Sequence, residues 1–143
     1  MNKNLIPVRV YALCVHPNGY LLTLKEKVGE EIVVKFPGGG LEADESPFNC
    51  LERELKEELT VEYEKAELFY TPDIPIYNYF KPGEQVLPLY FKVYLKSHSV
   101  PQIRERKILE MKWYAFSELP IDQFNFTSDK KAVEVFSQCL ISN

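Results

Sequence analysis

Apolar residues recur along this chain with two different periods, and the change of period separates strands from helices. Val8 to Val15 is dense in β-branched and aromatic residues and predicts a strand. His16-Pro17-Asn18-Gly19 has the chemistry of a turn, because Asn-Gly tolerates positive φ, and Tyr20 to Leu24 returns as the second arm of a hairpin. Glu31 to Phe36 predicts another short strand, ended by Pro37 and the glycines after it. The spacing then becomes helical. Ser46 is a suitable N-cap with Pro47 in the first helical position, and Phe48, Leu51, Leu55 and Leu59 form one apolar stripe. Glu67 to Tyr70 begins a further strand. The stretch from Thr71 to Pro88 contains Pro72, Pro75 and Pro82 and reads as a long loop or a loosely paired hairpin.

Leu89 to Leu95 predicts a strand, and Pro101 to Lys107 a charged connection. Ile108 to Tyr114 predicts the next strand, with Leu109, Met111 and Trp113 on one face. Ser128 to Leu140 closes the chain as a helix whose apolar face is Ala132, Val133, Phe136 and Leu140. The order strands, helix, strands, helix points to an α+β fold with a mixed sheet between helices, not a regular βαβ repeat. No repeat or linker divides the chain, so residues 1–143 are expected to form one domain.

Composition narrows the partners. A net charge of −4 argues against a nucleic-acid duplex as ligand, which needs a basic face. Aromatics make up 13% of the chain, enough for some to line a pocket. Cys14, Cys50 and Cys139 are widely spaced and read as free thiols in a reducing compartment. The N-terminal segment lacks the pattern of a leader, and no run approaches the ~20 apolar residues of a membrane span. A soluble, cytoplasmic protein is expected.

The segment GGGLEADESPFNCLERELKEELTV, Gly38 to Val61, carries the chemistry. Offsets of three and four place Glu54, Glu57 and Glu58 on one side of the predicted helix, roughly 100° around from the leucine stripe. The acids can then face a cleft while the leucines face a core. Carboxylates that close repel one another, and a divalent cation would relieve the repulsion. Hard oxygen ligands suit Mg²⁺. Taken alone, the same helix also fits a solvated acidic face with Arg53 and Lys56 in surface pairs.

The surrounding register decides between these readings. Gly39 precedes Glu45 by five residues, and seven more separate Glu45 from Arg53-Glu54, followed by Leu55, Glu57 and Glu58. This resembles the Nudix box, G-x5-E-x7-R-E-U-x-E-E-x-G-U, with Phe36-Pro37-Gly38 ahead of it also in keeping with that family. One fixed position departs: Thr60 stands where the second glycine is usual, at the helix exit. Asp44, where a glycine often precedes the first Glu, departs more mildly.

The resemblance implies a Nudix-type α/β/α sandwich and Mg²⁺-dependent hydrolysis of a phosphoanhydride in a nucleoside diphosphate linked to another group. Mn²⁺ is an alternative cation. The implied metal ligands are Glu57 and Glu58, with Glu54 and the Gly38 carbonyl completing the set. Arg53 would hold the acids in place, and Glu45 would stabilise the loop–helix junction. The general base comes from the box helix or a separate loop. Glu105 is the first loop candidate, then Glu110 and Glu84. Tyr77 and Tyr79, with Phe80, are candidates for stacking on a base. Tyr77 matches a cue for dinucleoside polyphosphates and Pro75 one for ADP-ribose, so substrates remain a nucleotide sugar, ADP-ribose, a dinucleoside polyphosphate or a modified nucleotide. Homodimers are common in such a family. The alternative of another class is a Nudix-fold module that binds or senses a nucleotide without cleaving it. The complete set Arg53, Glu54, Glu57 and Glu58 favours the enzyme.

Overall fold

A computed structural model describes residues 5–141; the ends of the expected 1–143 domain, residues 1–4 and 142–143, lie outside the described residues. The elements are β1 (Val8–His16), β2 (Tyr20–Val28), β3 (Glu31–Lys35), β4 (Gly38–Gly40), α1 (Pro47–Leu59), β5 (Tyr63–Tyr70), β6 (Ile76–Tyr77), β7 (Gln85–Leu95), β8 (Ile108–Ala115) and α2 (Thr127–Ile141), with two short 3-10 turns before α2. They form an eight-stranded mixed sheet, β3-β2-β1-β7-β5, with β4 on β1, β6 on β7 and β8 on β2. β1 and β7 run parallel and every other pair is antiparallel. The strands diverge at β2, which meets β1 only at the hairpin end and gives its length to β3 and β8.

A helix covers each face, as expected of an α/β/α sandwich. Alternation along β1 sends Val10, Ala12 and Cys14 into a core with Leu51, Leu55 and Leu59 of α1. Tyr11 and Leu13 point the other way, into a core with Ala132, Val133 and Phe136 of α2. This explains the apolar run from Val10 to Val15 of β1: that part of the strand is covered on both faces and has no polar side. Phe48 and Leu140, at the outer ends of their predicted stripes, are about half exposed, although the Phe48 ring still meets Phe91 of β7 edge to face. Among the described residues no helix is long and apolar enough to cross a membrane.

Several elements differ from the pattern-based expectation: Gly38–Gly40 forms β4, β5 begins at Tyr63 instead of Glu67, and β7 and β8 depart as follows. β7 begins at Gln85, so Pro88 lies inside a strand. The Pro88 carbonyl accepts from Thr71 Oγ1 at 2.9 Å, and its nitrogen faces the same edge, where β5 has already ended at Tyr70. No ladder donor is needed there. Of the two forms expected for Thr71–Pro88, the loosely paired hairpin is the one seen, with Ile76 and Tyr77 opposite Val86 and Gln85. In β8 the register skips Leu109, because Lys25 pairs with Glu110 and Glu26 with Ile108. That bulge turns Ile108 into the α1 core beside Met111 and Trp113 and leaves Leu109 about half exposed.

Candidate active site

α1 is locally over-determined. Ser46 is extended and accepts from the Asn49 amide at 3.1 Å, and Pro47 occupies the first turn. The helix ends at Thr60 in the left-handed region, φ 59°, with its N–H on the Lys56 carbonyl at 3.1 Å. Asp44 also has positive φ, 62°. Both departures from glycine in the box therefore stand where the chain turns left-handed. Asp tolerates that conformation, whereas a β-branched Thr is strained in it.

The box acids separate into two environments. Glu54 and Glu58, one turn apart, face the backbone of β4 and are buried. Glu58 is fully buried: Oε1 accepts the Gly38 N–H at 2.9 Å, and Oε2 has no hydrogen-bond partner. Burial pushes the Glu58 carboxyl up to about 7, against the pull of Lys35, the Gly38 N–H and Lys107. Burial likewise raises the Glu54 carboxyl, partly offset by Arg53. Glu57 stands at the solvent rim, its side chain 52% exposed.

Two glycines make this packing fit. A Cβ on Gly38 would lie 2.0 Å from the Val10 carbonyl oxygen, and one on Gly39 would lie 2.4 Å from Glu54 Oε1. A side chain on Gly38 would collide with backbone, and one on Gly39 would displace the Glu54 carboxylate.

Arg53 ties the acids together. Its Nε and Nη2 grip Glu45 at 2.7 and 3.0 Å, Nη2 also reaches the Gly40 carbonyl at 3.1 Å, and Nη1 bonds Glu54 at 3.0 Å and Glu57 at 3.3 Å. The guanidinium hydrogen bond holds the Glu45 carboxyl down at about 2. Glu45 also accepts from the Glu42 N–H at 3.0 Å, closing the loop ahead of the helix. The planar fork of Arg suits a clamp of this kind, which Lys could not reproduce.

The loop 101–107 lies against the helix end, with Gln102 N–H on the Leu59 carbonyl at 2.9 Å and Arg104 N–H on the Glu58 carbonyl at 3.0 Å. It brings Glu105 to a hollow shared with Arg53, Lys56, Glu57 and Arg104. The other two base candidates lie elsewhere: Glu110 faces Lys25 on the β2–β8 ladder, and Glu84 bonds Asn78 at 2.8 Å. Lys107 reaches Glu105 at 3.4 Å, Glu58 at 3.9 Å and Glu26 at 4.0 Å. Burial acts to lower the Lys107 ammonium, and these three acids outweigh it and raise it. Among the described residues no three His, Cys, Asp or Glu side chains converge as a ready metal cluster.

A second region adjoins this one, a cavity of about 580 Å³ between β1, β3, the β6–β7 segment and the start of α2. Tyr79, Phe80 and Phe126 meet edge to face in its wall, with ring centroids 4.8 to 5.7 Å apart. Tyr79 also bonds Glu31 at 2.9 Å, while Tyr77 stands at the rim, 75% exposed. Lys35, almost wholly buried, pairs with Glu26 at 3.4 Å and lies over the Tyr11 ring. Behind the wall, buried Asp129 accepts from Tyr90, and its second oxygen has no partner. Burial pushes that carboxyl up to about 7.

Sequence reasoning missed Arg9, Glu26, Lys35, Lys107 and Phe126. The readable signal was a charge set inside an apolar strand, as in Val8-Arg9-Val10 and Val33-Val34-Lys35-Phe36. A charge in such a place is retained only beside a partner or a ligand.

A mixed sheet between two helices, with a Gly-rich strand against a helix of ordered carboxylates, defines the class. The family model described as NUDIX domain matches residues 5–135, and the chain belongs to that family. Among solved structures it resembles a MutT NUDIX hydrolase from Burkholderia pseudomallei, with 22% identity, TM-score 0.76, and 92% of this chain and 98% of that one covered. It also resembles the E. coli dihydroneopterin triphosphate pyrophosphohydrolase, with 21% identity, TM-score 0.70 and coverage of 90% and 93%. The NUDIX domain of Shewanella oneidensis NrtR complexed with ADP ribose aligns at 16% identity, TM-score 0.71 and coverage of 98% and 90%. At such identities the likeness establishes the fold. No curated protein matches the sequence.

Proposed function

We propose that this protein hydrolyses a phosphoanhydride in a nucleoside diphosphate linked to another group, using Mg²⁺, or Mn²⁺ in its place. One observation carries the reading: the buried Glu58 carboxylate has an oxygen that no donor hydrogen-bonds, with only the Lys107 ammonium 3.9 Å away, beside Glu54 and the Gly38 backbone and next to a cavity of nucleoside size. A buried carboxylate oxygen without a hydrogen bond is costly, and a hard cation is a partner that its chemistry suits. Glu54, Glu57 and Glu58, with the Gly38 carbonyl, would hold the cation. When bound, it neutralises the diphosphate and the charge that develops on the leaving oxygen.

The chain's own residues do the rest. Arg53 keeps Glu54 and Glu57 in place from its anchorage on Glu45. Glu105, across the hollow from Glu57, accepts a proton from the attacking water. The Tyr79, Phe80 and Phe126 rings take the base, with Tyr77 at the mouth. The ligand classes in keeping with this are a nucleotide sugar, ADP-ribose, a dinucleoside polyphosphate or a modified nucleotide. Two fold neighbours are described by such ligands, one as a triphosphate pyrophosphohydrolase and one in complex with ADP ribose.

A nucleotide-binding module without turnover is the second reading. It is favoured by the lack of three converging acids among the described residues and by the salt bridges that Arg53 and Lys107 already make to them. A Mg²⁺-dependent assay across a panel of nucleoside diphosphate derivatives separates the two. Cleavage of at least one phosphoanhydride, abolished by EDTA, is expected. Tight binding of one compound with no turnover of any would overturn the enzyme reading.

A further inference from the structure

Arg9 is a largely buried guanidinium in the middle of β1, in the wall of the aromatic cavity. Its Nε donates to the Tyr11 hydroxyl at 2.8 Å, and its carbon lies 5.7 Å from the centre of that ring. Among the described residues no carboxylate comes within 4.0 Å of it, whereas Arg53, Lys35 and Lys107 near the site each have one. Glu54 and Glu26 act on it only from a distance. A mostly buried cation that uses one donor of its fork on a neutral hydroxyl lacks its natural counter-charge.

Its position says where that counter-charge would come from. Arg9 pairs with Gly40 across β1 and β4, and its Nη1 lies 3.8 Å from where a Gly40 Cβ would stand. Gly40 begins the loop that leads to the carboxylate helix. The guanidinium thus stands between the aromatic rings and the box acids. A ligand with a base in the cavity and a diphosphate at the acids must carry a phosphate past it.

We infer that Arg9 binds the phosphate attached to the nucleoside, so that the cavity selects nucleotides over nucleosides. This rests on the reading of the cavity as the nucleoside site. The free forks of Arg9 suit a phosphate in bidentate geometry, and Tyr11 aims them.

The test is calorimetry on the full chain in EDTA, with adenosine, guanosine, cytidine, uridine, their 5′-monophosphates and inorganic phosphate. Wild type is expected to bind at least one monophosphate roughly ten- to hundredfold more tightly than its nucleoside, the range of a hydrogen bond to a charged group. Arg9→Met is expected to erase that preference and leave nucleoside affinity unchanged. Arg9→Lys keeps the charge but not the fork, and is expected to lose about three- to tenfold of the preference. If Arg9→Met does not melt cooperatively, the Lys variant carries the test. An undiminished preference in the folded variant overturns the proposal. So does equal binding of nucleoside and monophosphate by wild type, no monophosphate binding, or inorganic phosphate competing as well as the nucleotide. Turnover assays keep the two claims apart. Cleavage with KM unchanged in Arg9→Met sinks this role alone, while an Arg9-dependent preference without any cleavage sinks the hydrolase alone.

Discussion

The carboxylate helix and the aromatic cavity are neighbours built by opposite means. The first comes from one unbroken segment, in which Gly38, Gly39, Glu45, Arg53, Glu54 and Glu58 reach one another through a hairpin's length of chain. The second draws Arg9, Lys35, Tyr79 and Phe126 from four separate places. In the helix region the box acids and Arg53 are held in ion pairs, and one buried oxygen of Glu58 is left without a hydrogen bond. In the cavity, one guanidinium has no carboxylate within reach and the rings meet only at their edges. A contiguous, over-determined region suits chemistry that must not vary. A wall assembled from distant segments can be changed one strand at a time, and so suits the choice of ligand.

That division can be broken by separating the two activities. Glu57→Gln removes one rim charge without touching the buried pair of Glu54 and Glu58. The expected loss in turnover is about 10²- to 10⁴-fold, the scale on which a positioned charge or proton acceptor contributes. Nucleotide affinity in EDTA and the melting temperature should stay close to wild type. Wild-type turnover in this variant would remove Glu57 from the site, and a large loss of metal-free affinity would show that the regions are not independent.

A smaller effect tests the cavity's rear wall. The Asp129 carboxyl titrates near 7 in the fold, against 3.8 for a free side chain, because it is buried. Between those values the folded protein binds the proton and the unfolded chain does not, so stability falls as pH rises. One such proton gives a slope of about 1.4 kcal/mol per pH unit. Asp129→Asn cannot titrate, and melting curves from pH 4 to 8 should fall less steeply for it than for wild type. Identical slopes would mean that Asp129 is already ionised.

The smallest effect belongs to the helix exit. Thr60→Gly relieves a β-branched residue at φ 59° and is expected to add about 1 kcal/mol of stability, read from denaturant midpoints, without changing turnover. A loss of stability would show that the Thr60 hydroxyl bond to the Leu59 carbonyl, at 2.6 Å, outweighs the strain.

The same contrast explains what the sequence made legible. The box, its helix and the Ser46 N-cap were readable because their partners lie within a few turns of one another and periodicity reports local geometry; the left-handed exit at Thr60 was not, because a β-branched residue argues against it. The burial of Glu54 and Glu58 was not, since helical offsets place the acids relative to each other but not relative to β4. Nor was the β8 register, where a bulge opposite Lys25 and Glu26 reversed an alternation that looked regular. Pro88 argued against a strand only while its edge was unknown. Arg9 and Lys35 were visible as charges within apolar runs, yet their meeting in one wall depends on pairings across the whole sheet.

The two amide bonds from loop 101–107 onto the last carbonyls of α1 have a mechanical consequence. They join the backbone under Glu57 and the backbone under Glu105 into one body, like the fixed jaws of a spanner. The width of the gap between those acids is then a property of the main chain. Side-chain replacements on either jaw alter what the gap attracts while leaving its span as it was.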